Sequence, residues 1–213
     1  MSLTGEVAGI DVSHHNLQVD WQAVAASGVQ FAFAKASEGM NTSDDQFAAN
    51  WVGMKAAGLL RGPYHFFHPA KPVQPQVDNF LRRLTDFGAG DLPPVLDLEL
   101  IGNPEEWGSI AKPQRLPLAI EWLTTIQNKL NCTPIVYTSH SFVRDILGSP
   151  GDLVNYPLWV ASYTTAPNPT MPAGWSDWTF WQYGEKGAVP GIGGSVDVDW
   201  FNGELADLQG LVI

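Results

Sequence analysis

Pro93-Pro94-Val95-Leu96-Asp97-Leu98-Glu99-Leu100 is the stretch from which both the fold and the chemistry are read. The two prolines set an extended approach, and Val95, Leu96, Leu98 and Leu100 form an apolar ladder with two carboxylates inside it. The pattern predicts a strand over 93–100. Side chains two apart on a strand share a face, so Asp97 and Glu99 are expected side by side, about 7 Å apart at their backbones. Two like charges buried together favour a proton on one of them, which is the state a general acid needs. The plain alternative is an acidic strand face turned to solvent or to a lysine.

Upstream of this stretch the apolar periods alternate. Val7 to Val12 reads as a strand ending in the polar run Asp11-Val12-Ser13-His14-His15-Asn16. Asp20 caps a helix from Trp21 to Ser27 that Gly28 closes, and Phe31 to Lys35 returns as a strand. A second helix opens at Asp44 or Asp45 and stops at Gly58, followed by a strand over 59–67 carrying Tyr64 and His65 and a third helix near 76–84. Downstream, a polar loop with Trp107 precedes a long helix over about 113–130, a strand over 134–138 and a short helix from Ser139 to Leu147. The pattern then changes. Strands at 158–163, 179–183 and 196–201 are joined by Pro/Gly/Trp loops with no helical period, and a last helix starts at Gly203.

Eight strands, of which only the first five are followed by helices, predict an α/β fold: a modified TIM-like barrel whose last three strands lack helices. In such a barrel the chemistry gathers at the carboxyl ends of the strands. Asp11, Lys35, Tyr64, Asp97, Glu99, Tyr137, Trp159, Gln182 and Asp197 are all expected late in, or just beyond, their strands.

The 213 residues fit one domain spanning 1–213. A net charge of −11 without a basic stripe argues against nucleic acid and anionic membrane as partners. Nine Trp and five Tyr supply aromatic faces that suit sugar rings. The lone Cys132 precludes an internal disulfide and is read as a small buried hydrophobe. Met1–Glu6 has neither the basic nor the apolar region of an export signal, and no stretch reaches membrane-spanning length. His14-His15 and His65-x-x-His68 lack the i, i+4 spacing of a zinc helix, so neither a metal nor any other cofactor is expected.

Short segments in order along the chain resemble the glycoside hydrolase family 25 lysozymes, the Chalaropsis-type muramidases. They are Gly9-Ile10-Asp11-Val12-Ser13-His14-His15-Asn16, Phe31-Ala32-Phe33-Ala34-Lys35-Ala36-Ser37-Glu38-Gly39, Gly62-Pro63-Tyr64-His65-Phe66 and Leu96-Asp97-Leu98-Glu99. Val136-Tyr137-Thr138, Leu158-Trp159-Val160-Ala161, Trp181-Gln182-Tyr183 and Val196-Asp197 follow. The resemblance implies a flattened (β/α)5(β)3 barrel, peptidoglycan as substrate, and cleavage between N-acetylmuramic acid and N-acetylglucosamine. It also implies Glu99 as acid/base, Asp97 as its partner, and Asp11 and Asp197 completing an acidic cluster. Asp199 stands where the family often carries Asn, and Asp197 is preferred on the resemblance alone.

The residues permit that chemistry. A glycosidic bond needs a proton on the departing oxygen and negative charge or a nucleophile at the oxocarbenium-like centre. Glu99, with the longer side chain, is the expected donor. Asp97, on the same strand, is poorly placed to oppose it, so attack by the sugar's own 2-acetamido carbonyl is expected, with retention at the anomeric carbon. Tyr64, Tyr137, Trp159, Gln182 and Lys35 are the expected substrate contacts. A monomer acting outside the cell or at the wall fits this reading, whether it serves a bacterium remodelling its own wall, a phage at lysis, or a predator or fungus digesting others. Two rivals are a catalytically silent glycan-binding module and a chitinase-like hydrolase, whose longer acidic run is replaced here by Val95 and Leu96.

Overall fold

The computed structural model of the protein describes residues 7–100 and 104–213. The readings made on Met1–Glu6 and on positions 101–103 of the polar loop lie outside them. In chain order the elements are β1 (Val7–Val12), α1 (Trp21–Ala26), β2 (Phe31–Glu38), a two-residue β3 (Thr42–Ser43), α2 (Phe47–Ala56) and β4 (Leu60–Phe66). Then come α3 (Val73–Leu81), β5 (Val95–Asp97), α4 (Pro104–Ser109), α5 (Lys112–Leu130), β6 (Ile135–Ser139) and two short helical turns over 142–147 and 151–155. The chain ends with β7 (Leu158–Ala161), β8 (Phe180–Gly187), β9 (Val196–Phe201) and α6 (Leu205–Gln209).

The strands close on themselves in the order β1-β9-β8-β7-β6-β5-β4-β2, with β1 also paired to β2 and the small β3 hung outside β2. This is the expected eight-strand barrel, with helical segments after β1, β2, β4, β5 and β6 and none between β7, β8 and β9. One strand departs from the parallel rule. β9 runs antiparallel to both β8 and β1, so its beginning, not its end, reaches the rim where the other strands finish. Asp197 is therefore early in its strand, contrary to expectation, yet it stands directly opposite Asp11.

The period of two sorts the side chains. Ile10, Val12, Ala32, Ala34, Leu96 and Val136 pack outward against the helices, together with Trp51, Met54, Phe80 and Trp122. Phe31, Phe33, Val95, Ile135, Tyr137, Trp159, Phe180 and Phe201 fill the inside. Two glycines make room for this filling. A Cβ on Gly9 would stand 2.2 Å from the Phe31 ring, and one on Gly62 would stand 2.4 Å from Phe33. Either would have to displace a ring fixed on several sides.

Helix ends follow local chemistry. The Asp20 carboxylate accepts from the Gln22 and Ala23 amides, as expected of a cap, and Gly28 and Gly58 end α1 and α2 with φ of +100° and +78°. Asp44 behaves differently. It accepts from Gln46 N but also from His14 N and Nδ1, both at 2.8 Å, so it ties down the turn after β1 and α2 starts only at Phe47.

The central stretch is shorter as a strand than predicted. β5 stops at Asp97, Glu99 lies beyond it, and Leu100 is 38% exposed instead of extending the ladder. The segment is held in line by other means. Leu98 N donates to Tyr137 O at 2.9 Å, Thr138 Oγ1 to Leu98 O at 3.0 Å, and the buried Trp107 Nε1 to Glu99 O at 3.1 Å. Cys132 is half-buried, not enclosed as the sequence suggested.

Candidate active site

At the rim formed by the ends of β1, β5, β6 and β8 and the start of β9, ten residues line a hollow of about 130 Å³. They include Asp11, Asp97, Glu99 and Asp197, which are far apart in sequence, together with Tyr64, Tyr137, Trp159 and Gln182. Eight of the nine side chains singled out from the sequence therefore meet in one place. Lys35 stands behind them. Its ammonium is 2.6 Å from Glu38 Oε2 and sits over the Phe66 ring at 4.8 Å, and it is not among the lining residues.

The polar groups are closely connected. Gln182, buried, donates from Nε2 to Asp11 Oδ2 at 2.6 Å, and its Oε1 accepts from Tyr137 Oη and Tyr163 Oη, each at 2.7 Å. Trp159 is also buried and forms part of the floor. Its ring stacks on Phe33 with centroids 4.5 Å apart, and Nε1 donates to Asp199 Oδ1 at 2.8 Å. Trp181, next to Gln182, packs on the outside against Trp178 and donates to Ser162 O.

Burial and like charge raise the proton affinity of the cluster. Burial, reinforced by Asp197 and opposed by Lys35, pushes Glu99 up to about 7. Burial and then the neighbouring Glu99 hold Asp97 well above the usual carboxylate range, and its Oδ1 is buried without a partner. Burial followed by Glu185 brings Asp197 up to about 6. Asp11 is raised by burial, then by Asp199 and Asp197, while the Gln182 bond works the other way.

Beside the hollow, His68 bridges Glu38 and Glu106 at 2.9 Å on each ring nitrogen, and its proton affinity is raised by those two carboxylates, Glu38 foremost. Glu38 is lowered to about 2, chiefly by the His68 bond, with Lys35 adding to it. His65 is enclosed, its Nδ1 at Ser37 Oγ, and burial lowers it to about 3, which leaves it neutral. Among the described residues no group of three or more His, Cys, Asp or Glu side chains is arranged to hold a metal ion.

Two lining residues escaped the sequence reading. Tyr163, the last residue of the strand expected over 158–163, keeps the period of Trp159 and Ala161 beyond the end of β7, and that alternation is the signal that marks it. Glu185 is three residues from Gln182, a spacing that in a regular strand faces the other way. Register shifts between Gln182 and Gly187 turn it to the rim.

Barrel and acidic hollow together define a glycosidase-type site. Comparison with known proteins gives the family. The model for "Glycosyl hydrolases family 25" matches residues 10–192. Lysozyme M1 of Streptomyces globisporus is 36% identical over 216 residues, covering 98% of this chain and 72% of the relative. The N,O-diacetylmuramidase of Chalaropsis is 31% identical over 209 residues, covering 90% and 96%. The crystal structure of a bacterial lysozyme from Streptomyces coelicolor superposes with a TM-score of 0.90 at 34% identity, over 99% of this chain and 98% of that one. The chain belongs to glycosyl hydrolases family 25. It is a glycoside hydrolase of the lysozyme, or muramidase, type, as the resemblance implied.

Proposed function

We propose that this chain, working as a single-domain monomer without a cofactor, cleaves the β-1,4 bond between N-acetylmuramic acid and N-acetylglucosamine in peptidoglycan. Action outside the cell or at the wall goes with that substrate. The observation that carries the reading is the buried, partnerless Oδ1 of Asp97 lining the same hollow as Glu99, a carboxyl raised to about 7.

A sugar bearing a 2-acetamido group supplies what Asp97 lacks, an N–H donor. That bond favours ionised Asp97 and leaves the shared proton on Glu99. Glu99 then protonates the departing glycosidic oxygen, while the acetamido carbonyl oxygen attacks the anomeric carbon as the C–O bond breaks. Asp97 orients the acetamido group and balances the charge that develops on its nitrogen. In the second half Glu99, now ionised, takes a proton from water as it attacks the same carbon and displaces the acetamido oxygen. Two displacements give net retention.

Asp11 and Asp197, opposite each other on β1 and β9, add negative potential near the oxocarbenium-like centre. Tyr64, Tyr137 and Gln182 provide hydroxyl and amide contacts, and the Trp159 floor sets the depth of the hollow. Lys35 acts from behind as the cation that moderates Asp97 and Glu99. A volume of about 130 Å³ holds only part of a disaccharide, which suits the substituents of the reacting sugar below an open cleft.

NMR of the first product from purified bacterial walls tests the mechanism. The β-anomer at new muramic acid ends is expected, and α-anomer as the first product would exclude acetamido assistance. Wall binding with no new reducing ends would instead indicate a silent glycan-binding module.

A further inference from the structure

Asp199 is fully buried, and the reaction described above gives it no task. Along β9 the period of two turns Asp197 and Asp199 to the same inner face, Asp197 opposite Asp11 and Asp199 opposite Gly9. Asp199 thus lies diagonal to Asp11, and the two carboxyls are within hydrogen-bond reach. Each is already fixed at one oxygen by an N–H donor: Asp199 Oδ1 by Trp159 Nε1 at 2.8 Å, and Asp11 Oδ2 by Gln182 Nε2 at 2.6 Å. The second oxygen of Asp199, Oδ2, is buried with no donor at all. Two ionised carboxylates in contact in such a place would be very costly, and one proton between them removes the cost.

We propose that Asp199 is a positioning residue that shares a single proton with Asp11, locking the Asp11 carboxyl against Gln182 and holding the pair at one negative charge in place of two. The proton bridges the two oxygens that lack an N–H donor. Trp159 and Gln182 cap the ends of the unit, and Tyr137 and Tyr163 hold the Gln182 amide in the required orientation. Asp97 from β5 and Asp197 on β9 act on the pair directly, Glu99 and Glu185 neighbour Asp197, and Lys35 on β2 is the cation facing Asp97 and Glu99. The phenols of Tyr64, Tyr137 and Tyr163 complete the surroundings. Holding the pair at one charge leaves burial and Asp197 to set the proton affinity of Glu99.

The test compares wild type, Asp199→Asn and Asp199→Leu, using carbon-13 NMR of protein labelled at the aspartate carboxyls and the pH profile of wall hydrolysis. The role in catalysis rests on the muramidase reading, but the NMR measurement needs no substrate and stands without it. At mildly alkaline pH the wild type is expected to show a protonated carboxyl assigned to Asp11 and Asp199 jointly, lost in Asp199→Asn. Asparagine keeps the bond from Trp159 and offers Asp11 a fixed N–H, so kcat/KM is expected within about threefold of wild type, with the alkaline limb unmoved. Leucine leaves the Trp159 N–H without an acceptor and Asp11 held by Gln182 alone, and a loss of about tenfold or more is expected. Two fully ionised carboxyl signals in the wild type would overturn the proposal. So would an alkaline limb lowered by about one pH unit in Asp199→Asn, since that reports removal of a charge the pair was not meant to carry. Should Asp199→Asn fail to fold, the wild-type spectrum alone, assigned through Asp11→Asn and Asp97→Asn, decides the question. Absence of wall hydrolysis with the shared proton present would count against the muramidase reading and leave the pair intact.

Discussion

Replacing Glu99 by glutamine should slow the reaction strongly and, at high pH only, make the protein more stable. The Glu99 carboxyl is displaced upward from an ordinary value of 4.5 to about 7, with burial as the leading cause. Ionising it in the folded state therefore costs more than in the unfolded chain, by roughly 3–4 kcal/mol at about 1.4 kcal/mol per pH unit. The sign follows from the direction of the shift. Below 4.5 the group is protonated in both states and contributes nothing. Between 4.5 and about 7 the unfolded chain loses its proton first, so stability falls as pH rises, and above 7 the full penalty stands. Glutamine is never charged, so Glu99→Gln should escape the penalty. For a chain of 213 residues each kcal/mol moves Tm by about 2–4 °C, which gives a gain of roughly 6–16 °C at alkaline pH that vanishes under acidic conditions. Calorimetric melts of both proteins across a pH series measure it. A difference that is flat with pH, or a variant less stable at alkaline pH, would refute the assignment of a buried, easily protonated carboxyl at position 99.

Other expectations follow from single contacts. Gln182→Leu leaves the Asp11 carboxyl and the Tyr137 hydroxyl without their shared partner, and should cost about 1–3 kcal/mol in a denaturation curve with at least a tenfold loss in kcat/KM. Trp107→Phe removes the donor to the Glu99 carbonyl just past the end of β5, so steady-state kinetics should show kcat falling with little change in KM. Arg61, buried and bonded to Asp91 at 2.7 Å, to Trp51 O at 2.6 Å and to Asp86 O at 2.9 Å, holds α2 and the 86–91 turn to β4. Arg61→Met strands the buried Asp91, and thermal melts should fall by roughly 6–20 °C, from a loss of about 3–5 kcal/mol, with kcat unchanged in the folded fraction.

Much of this architecture was legible in the chain because its signals are local. Asp20, Gly28 and Gly58 mark helix ends by side-chain chemistry and backbone conformation, and the loss of helical period after Leu147 marks where the barrel changes character. The acidic cluster was legible as well, since Asp97 and Glu99 announce one wall and closure of the barrel brings Asp11 beside Asp197. What escaped depends on partners distant in sequence. The direction of β9 is chosen by its pairing with β8 and β1, which no local period encodes. Glu185 reaches the rim through register shifts that break the alternation a reader counts. Glu99 is kept in line by Trp107 and by bonds to β6, not by strand pairing of its own. Asp44, one of the two residues read as opening the second helix, serves the turn after β1 as well as Gln46 N, because His14 approaches it across a thirty-residue separation.

The most direct measurement is the release of reducing ends from purified peptidoglycan by wild type and by Glu99→Gln, with binding to the same walls followed in parallel. Wild type should liberate ends bearing muramic acid, and the variant should bind equally well while releasing them about 10²–10⁴-fold more slowly, the loss expected when a general acid is removed. Equal release by the two proteins would mean that the proton is delivered from elsewhere and that Glu99 does not hold the part given to it.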